Sequence, residues 1–298
     1  MSNFNVRGIP HFYDFIPSKS RSRSPVLVFI HGWLLSHRYW YPLVEKLSVD
    51  YSCLIYDLRG FGDSQVLSAD FSAPENRLEV VESQYSLATY AEDLQKLLTK
   101  LKIEEAWLIG HSLGGSIAIW GADICKDRVI GVICVNAGGG IYLKEEFQRF
   151  RNAGENLVKF RPNWLSSVPF LDLLFARLMV ARPLSRDWGR QRIVDFVKAS
   201  QEAAIGSLLD STTEEEVHLL PQILSRLSQP VYFFAGDKDM VMEAKYVKHL
   251  ASFHHLFNPH GTNVIEIPDC GHFAMLEQIE LLQEKILKII NQYHWENK

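Results

Sequence analysis

The feature that most constrains this chain is a serine set among small residues where a strand-like run meets a helix-like one. Residues 110 to 115 read Gly110-His111-Ser112-Leu113-Gly114-Gly115, after the apolar Ala106-Trp107-Leu108-Ile109 and before Ser116-Ile117-Ala118-Ile119-Trp120. A serine on a sharp strand-to-helix turn needs small neighbours two residues away on each side, because a Cβ there would meet the strained backbone. Such a turn exposes the hydroxyl at a helix N-terminus, whose partial positive charge and unpaired amides favour a developing anion. The spacing alone is a weak signal, and the strand before it and the helix after it give it weight.

The rest of the chain repeats that alternation. Short apolar runs at Val26–Ile30, Cys53–Tyr56, Ala106–Ile109, Val129–Val135, Val231–Ala235 and Asn263–Ile267 are separated by helical patterns. Continuously apolar strands joined through helices predict a mostly parallel sheet covered on both faces, an α/β class. The helix before the serine strand has its period in Leu87, Tyr90, Ala91, Leu94, Leu97, Leu98 and Leu101, and the last helix in Leu281, Leu282, Ile286, Ile289 and Ile290. Val6–Ile9 and His11–Phe15 are candidates for an antiparallel edge, with Pro10 as an obstacle to pairing. Between Asn136 and Val231 there are helical patterns, broken by Pro162, Pro169 and Pro183, and no strand signal. That stretch reads as an insertion, so residues 1–140 and 212–298 are expected to form one core domain and 141–211 an inserted helical unit.

Composition excludes several classes. With 298 residues, 47% hydrophobic and 22% charged, the chain has ample length for a large core. A net charge of -4 and the lack of like-charge blocks argue against nucleic acid as a partner. Cys53, Cys125, Cys134 and Cys270 follow no zinc or redox spacing and read as reduced, packed thiols. The polar stretch Met1–Ser24, with Lys19, Arg21 and Arg23, contains no apolar signal-peptide core, and Trp164–Ala181 is interrupted by Pro169, Asp172 and Arg177. A cytoplasmic chain with no integral membrane segment is therefore expected, with a small molecule as its partner. The oligomeric state is not readable.

A serine at its ordinary pKa is a poor nucleophile and needs a base, itself held in the right tautomer by an acid. After Val231-Tyr232-Phe233-Phe234-Ala235 comes Gly236-Asp237-Lys238-Asp239, and after the last strand comes Pro268-Asp269-Cys270-Gly271-His272-Phe273. Both loops lie at strand carboxyl ends, where open α/β sheets build their sites, and they deliver an acid and then His272. Val26–Ile30 runs into His31-Gly32-Trp33, so the Trp33 and Leu113 amides are candidate oxyanion donors. His31 and His111 are expected to hold loops, and Asp57, Arg59 and Asp63 to bond a turn. His249, His254, His255 and His260 fit no common zinc arrangement and read as a solvated face.

Together, His31-Gly32, Asp57-Leu58-Arg59-Gly60-Phe61-Gly62-Asp63-Ser64, Gly110–Gly115, Gly236–Asp239 and Gly271-His272 resemble the α/β-hydrolase superfamily, over residues 26 to 290. The resemblance implies Ser112 as nucleophile, His272 as base and, of the two aspartates, Asp239 as acid. Asp237 is then left to bond its loop as an Asx turn. Asn136, at the alternative acid position, cannot serve as an anion. The resemblance further implies that the insertion is a helical cap over the pocket, that no cofactor is needed, and that Ser112 sets aside the aspartate-nucleophile chemistries of epoxide hydrolases and haloalkane dehalogenases.

The expected activity is hydrolysis of an ester, thioester or related small apolar carbonyl substrate. The alternatives are a carbon–carbon bond hydrolase, a cofactor-free haloperoxidase, an acyltransferase, and a non-enzymatic receptor or scaffold on the same fold. From Leu143 to Asp210 the insertion carries eleven Lys or Arg against eight Asp or Glu, about +3 in a chain at -4. Arg182, Arg186, Arg190 and Arg192 are candidates for a substrate anion, with Arg190, Arg192 and Trp188 named as substrate-binding. Phe147, Phe150, Phe160, Trp164, Phe170, Phe175, Trp188 and Phe196 are expected as core and pocket wall, suited to an apolar acyl or aromatic substrate.

Overall fold

The apolar runs pair as strands because all but the last, which turns Glu266 to water at the sheet edge, are buried on both faces. A computed structural model describes residues 2–6, 8–20, 25–65, 83–138, 144–257 and 263–295. Its sheet has eight strands: β1 (Ser2–Val6), β2 (Ile9–Ile16), β3 (Val26–Ile30), β4 (Cys53–Tyr56), β5 (Ala106–His111), β6 (Val129–Val135), β7 (Val231–Gly236) and β8 (Val264–Ile267), in spatial order β1-β2-β4-β3-β5-β6-β7-β8. The six strands from β3 onward run parallel, and β1 and β2 form an antiparallel edge. Pro10 is tolerated in β2 because only Tyr13–Ile16 pair with β4, and Pro10 lies beyond that register, facing Asn5 of β1.

The helices are α1 (Tyr41–Leu47), α2 (Leu87–Lys100), α3 (Leu113–Ile124), α4 (Lys144–Lys159), α5 (Leu171–Phe175), α6 (Arg186–Lys198), α7 (Gln201–Ser211), α8 (Glu214–Arg226), α9 (Ala244–Ala251), α10 (Ala274–Glu277) and α11 (Ile279–Trp295). Ser86, Ser185, Ser200 and Thr213 start α2, α6, α7 and α8 by accepting an amide three residues on. The periodic leucines of α2 are buried on one face of the sheet with α3 and α8, while α1 and α11 bury Leu43, Leu47, Leu282, Ile286 and Ile290 against the other. Two apolar layers thus sandwich the sheet.

Among the described residues between β6 and α8 the regular elements are helical, α4 to α7 and a short 3-10 turn at Asn163–Ser167. The boundary drawn at 140/141, Arg21, Arg23, His260 and the side chains of Phe147 and Phe150 fall outside the described residues. All four cysteines are buried and free. Among the described residues no helix is long and apolar enough to cross a membrane.

The strand order sets where a site can form. β3 is followed in sequence by β4 on one side and lies beside β5 on the other, so the chain reverses its winding between β3 and β5. The loops leaving those two strands diverge there and open a crevice at the sheet's carboxyl edge.

Candidate active site

Ser112 occupies that crevice in a backbone conformation that L-residues avoid, φ 52° and ψ −119°. Its amide donates to Val135 O (3.0 Å), tying the turn to β6. The small flanking residues are obligatory: a Cβ on Gly110 would sit 2.1 Å from Gly114 O, and one on Gly114 would sit 2.3 Å from Ile30 O. Leu113 opens α3, so its amide has no helical carbonyl partner, and Trp33 follows Gly32 at the end of β3.

His272 and Asp239 arrive from the loops after β8 and β7. His272 Nδ1 and Asp239 Oδ2 are 2.8 Å apart, and both residues are buried. Asp239 is held from four directions, since Oδ2 also accepts Asn136 Nδ2 (2.9 Å) and Oδ1 accepts the amides of Val241 and Met242 (2.9 Å each). Burial pushes this carboxyl up, but the neighbouring His272 and the donated bonds outweigh it and leave the pKa below the ordinary value. A carboxylate so fixed can hold His272 with its proton on Nδ1 and leave Nε2 free to accept.

Asp237 bonds elsewhere. Its Oδ1 accepts the Cys270 amide (3.1 Å), so it links its loop to the next one and is not the local Asx turn the sequence suggested. Asn136 was legible only as a non-acid. The structure makes it a brace, donating to both Asp239 and Gly271 O (3.1 Å).

The two other histidines beside the site hold loops. His31 Nε2 accepts the Leu58 amide (2.9 Å) while Nδ1 bonds Gly32 O (2.8 Å), and burial brings its pKa down to about 4. His111 Nε2 bonds the carbonyl of His272 (2.7 Å), with burial and the adjacent His272 lowering its pKa to about 3. His254 departs from expectation: it is buried, Nε2 bonds Gln229 O (3.0 Å), and burial lowers its pKa to about 4. Arg59 donates to Asp93 through Nε (3.0 Å) in a buried pair. Among the described residues His37, Asp57 and Asp63 bring potential metal-ligand atoms within 4.8 Å of one another. Asp57 there already accepts the amides of His37 (2.7 Å) and Asp63 (2.8 Å), which accounts for the cluster as a turn.

A cavity of about 300 Å³ lies over Ser112, and its wall includes His272, Trp33 and Leu113. The insertion supplies much of the apolar remainder, including Leu157, Phe175, Leu178, Phe196 and Leu208. Trp33 is pinned to the insertion by Nε1 donating to Ala204 O (2.8 Å).

The candidate substrate-binding residues divide. Arg192 lines the cavity, 7% exposed, with its guanidinium 4.4 Å over the Phe273 ring and Nη1 donating to the carbonyls of Phe175 and Leu178. Among the described residues no carboxylate lies within ion-pair distance of it. Arg190 is exposed and paired with Asp172 (3.2 Å) and Asp187 (3.0 Å), and it is not part of the wall. Arg182 pairs with Asp269 and Arg186 with Asp172. Trp188 is also away from the wall, packed against Tyr39 with ring centroids 5.5 Å apart. Phe160, Trp164 and Phe170 are exposed and are neither core nor wall. Phe160 directly follows α4, Trp164 lies in the 3-10 turn and Phe170 precedes α5, so all three fall at or between helix ends.

Glu216 was not singled out from the sequence. It lines the cavity, accepts Trp120 Nε1 (2.6 Å), and has its pKa raised by burial. Its place among three acidic residues at the start of a helix looks like ordinary dipole compensation, so the sequence carries no signal for it.

Comparison with known proteins agrees with this architecture. The sequence model of the alpha/beta hydrolase fold family matches residues 25–278. A 2-succinyl-6-hydroxy-2,4-cyclohexadiene-1-carboxylate synthase of Yersinia pseudotuberculosis serotype O:3 (strain YPIII) is 29% identical over 228 residues, covering 72% of each chain. A thermophilic esterase from Thermogutta terrifontis superposes with TM-score 0.72 at 21% identity, over 98% of this chain and 97% of that one. A bromoperoxidase from Bacillus anthracis gives 0.74 at 20%, over 97% and 100%.

Proposed function

This chain belongs to the alpha/beta hydrolase fold family, and on that premise we propose that it is a serine hydrolase of ester, thioester or related small apolar carbonyl substrates. The observation that carries the reading is the 2.8 Å contact of His272 Nδ1 with a fully bonded Asp239, beside the same cavity that Ser112 lines. In this reading Ser112 Oγ attacks the carbonyl carbon as His272 Nε2 takes its proton, and the imidazolium that forms is stabilised by Asp239. The oxyanion is held by the Trp33 and Leu113 amides, each worth a factor of about 10² to 10³ in turnover. His272 returns the proton to the leaving group, and water repeats the sequence on the acyl-enzyme.

The insertion acts as the cap that selects the substrate, and its mostly apolar wall favours an acyl or aromatic group of modest size. Arg192 supports a second reading, in which the substrate carries a carboxylate or similar anion. A buried guanidinium hydrogen-bonded to carbonyls, with Glu277 acting on it but no carboxylate in contact, can take an anion, and the 29% identical relative is named for making a carboxylate. That reading brings carbon–carbon hydrolysis into range with the same triad. The four buried free thiols favour a reducing, cytoplasmic setting.

Steady-state assays on p-nitrophenyl esters of increasing acyl length, with and without a terminal carboxylate, test both readings. Ester turnover that disappears in Ser112→Ala supports the hydrolase. Turnover unchanged by that substitution rejects it.

A further inference from the structure

The loop that carries His272 is not held by the core alone. The His272 amide donates to Met179 O (2.7 Å) in the segment Leu178–Arg182, which joins α5 to α6 of the insertion. The residues on either side of His272 donate to one carboxylate, Gly271 N to Glu277 Oε2 (3.0 Å) and Phe273 N to Glu277 Oε1 (3.0 Å). The same Glu277 Oε2 accepts the amide of Ala181 (2.7 Å), from the insertion.

Three amides of two distant segments therefore converge on one acceptor. The packing is as close as the bonding: a Cβ on Gly271 would lie 2.6 Å from Val180 Cα, 2.7 Å from Met179 O and 2.8 Å from Ala181 N. These three nearest atoms all belong to the insertion.

From this convergence we infer that Glu277 is a positioning residue that locks the catalytic base to the insertion, so that His272 is correctly aimed only while segment 178–182 is docked. The inference rests on the proposed role of His272 as base. Charge-assisted bonds from backbone amides are stronger than neutral ones, and removing a shared acceptor releases both segments at once. A misplacement of about 1 Å in a catalytic group is enough to lower turnover roughly 10²-fold. The insertion is then part of the proton-transfer apparatus as well as a cover, and a molecule with the insertion lifted holds Ser112 without an aligned base.

Two readouts test this on the full chain: amide hydrogen exchange of segments 179–182 and 271–273, and the rate at which a fluorophosphonate labels Ser112. In the wild type the amides of Ala181, Gly271, His272 and Phe273 should open as one unit. In Glu277→Ala, which removes both acceptor oxygens, both segments should lose protection together and labelling should slow at least about tenfold. Gly271→Ala, which displaces the segment while leaving Glu277 in place, should do the same.

Independent exchange of the two segments in the wild type overturns the inference even if neither variant folds. So does labelling within twofold of wild type in a variant whose segment 179–182 has lost protection. A wild type that no fluorophosphonate labels refutes the hydrolase reading instead, and the exchange measurement still decides whether the two segments are coupled.

Discussion

The carboxyl edge of the sheet and the helical insertion face each other across one cavity, and they satisfy their charges in opposite ways. At the sheet edge Asp239 takes four donated bonds, and the strained Ser112 turn is fixed by contacts that no Cβ could survive. In the insertion Arg192 is as buried as these groups, yet its described acceptors are two carbonyls, and large apolar residues such as Phe160, Trp164 and Phe170 remain in water. A preorganised edge suits chemistry that is the same for every substrate. A wall whose buried cation has no carboxylate in ion-pair contact, though Glu277 acts on it from further off, suits discrimination between substrates.

The comparison breaks most visibly if the edge proves dispensable. Ser112→Ala should lower ester turnover by at least about 10⁴-fold with the fold intact, measured by steady-state kinetics and circular dichroism. Asp239→Asn should lower it by up to about 10⁴-fold by favouring the wrong histidine tautomer, whereas Asp237→Asn, whose remaining oxygen can still accept the Cys270 amide, should cost much less. The reverse ranking would move the acid to Asp237.

A smaller effect sits where the two regions meet. Asp195 of α6 accepts Ser36 Oγ (3.0 Å) from the loop after β3, and burial pushes its carboxyl up to about 6 despite that bond and those from Gln191. A carboxyl whose folded pKa lies above its unfolded value binds more protons when folded, so its contribution to stability falls as pH rises from about 4 through about 6. Relative to Asp195→Asn, the wild type should lose up to about 3 kcal/mol across that window in urea titrations. A constant difference between the two proteins would place the ordinary carboxyl pKa there.

Much of the edge is written locally in the sequence. The glycines around Ser112 are demanded by atoms within five residues or in the adjoining strand, and Asp239 and His272 each follow an apolar run that ends in a loop. Even Pro10 is accommodated, because β2 outruns β4. The insertion is written differently. Arg190 and Arg192 lie two residues apart on one helix, and helix geometry turns them to different sides, so only the packing of α5 and α6 decides which meets the cavity. The roles of Asn136 and Glu216, and the tie of Glu277 to Ala181, were missed for the same reason, since those partners lie 96 or more residues away in sequence.

The smallest effects sharpen the contrast inside the insertion. Arg192→Gln should raise KM for carboxylate-bearing esters by about tenfold and leave matched methyl esters nearly unchanged, because a guanidinium holds a distal carboxylate without sensing the reacting carbonyl. Equal effects on both members of a pair would make Arg192 a structural cation. Arg190→Gln should change neither member by more than about twofold, since its partners Asp172 and Asp187 lie outside the cavity wall.

Covalent labelling tests the central claim, that Ser112 is the nucleophile of this edge. Wild-type protein treated with a fluorophosphonate and digested should yield one modified peptide, spanning residue 112, and the modification should vanish in Ser112→Ala. Equal labelling of both proteins, or modification at any other serine, would contradict the account.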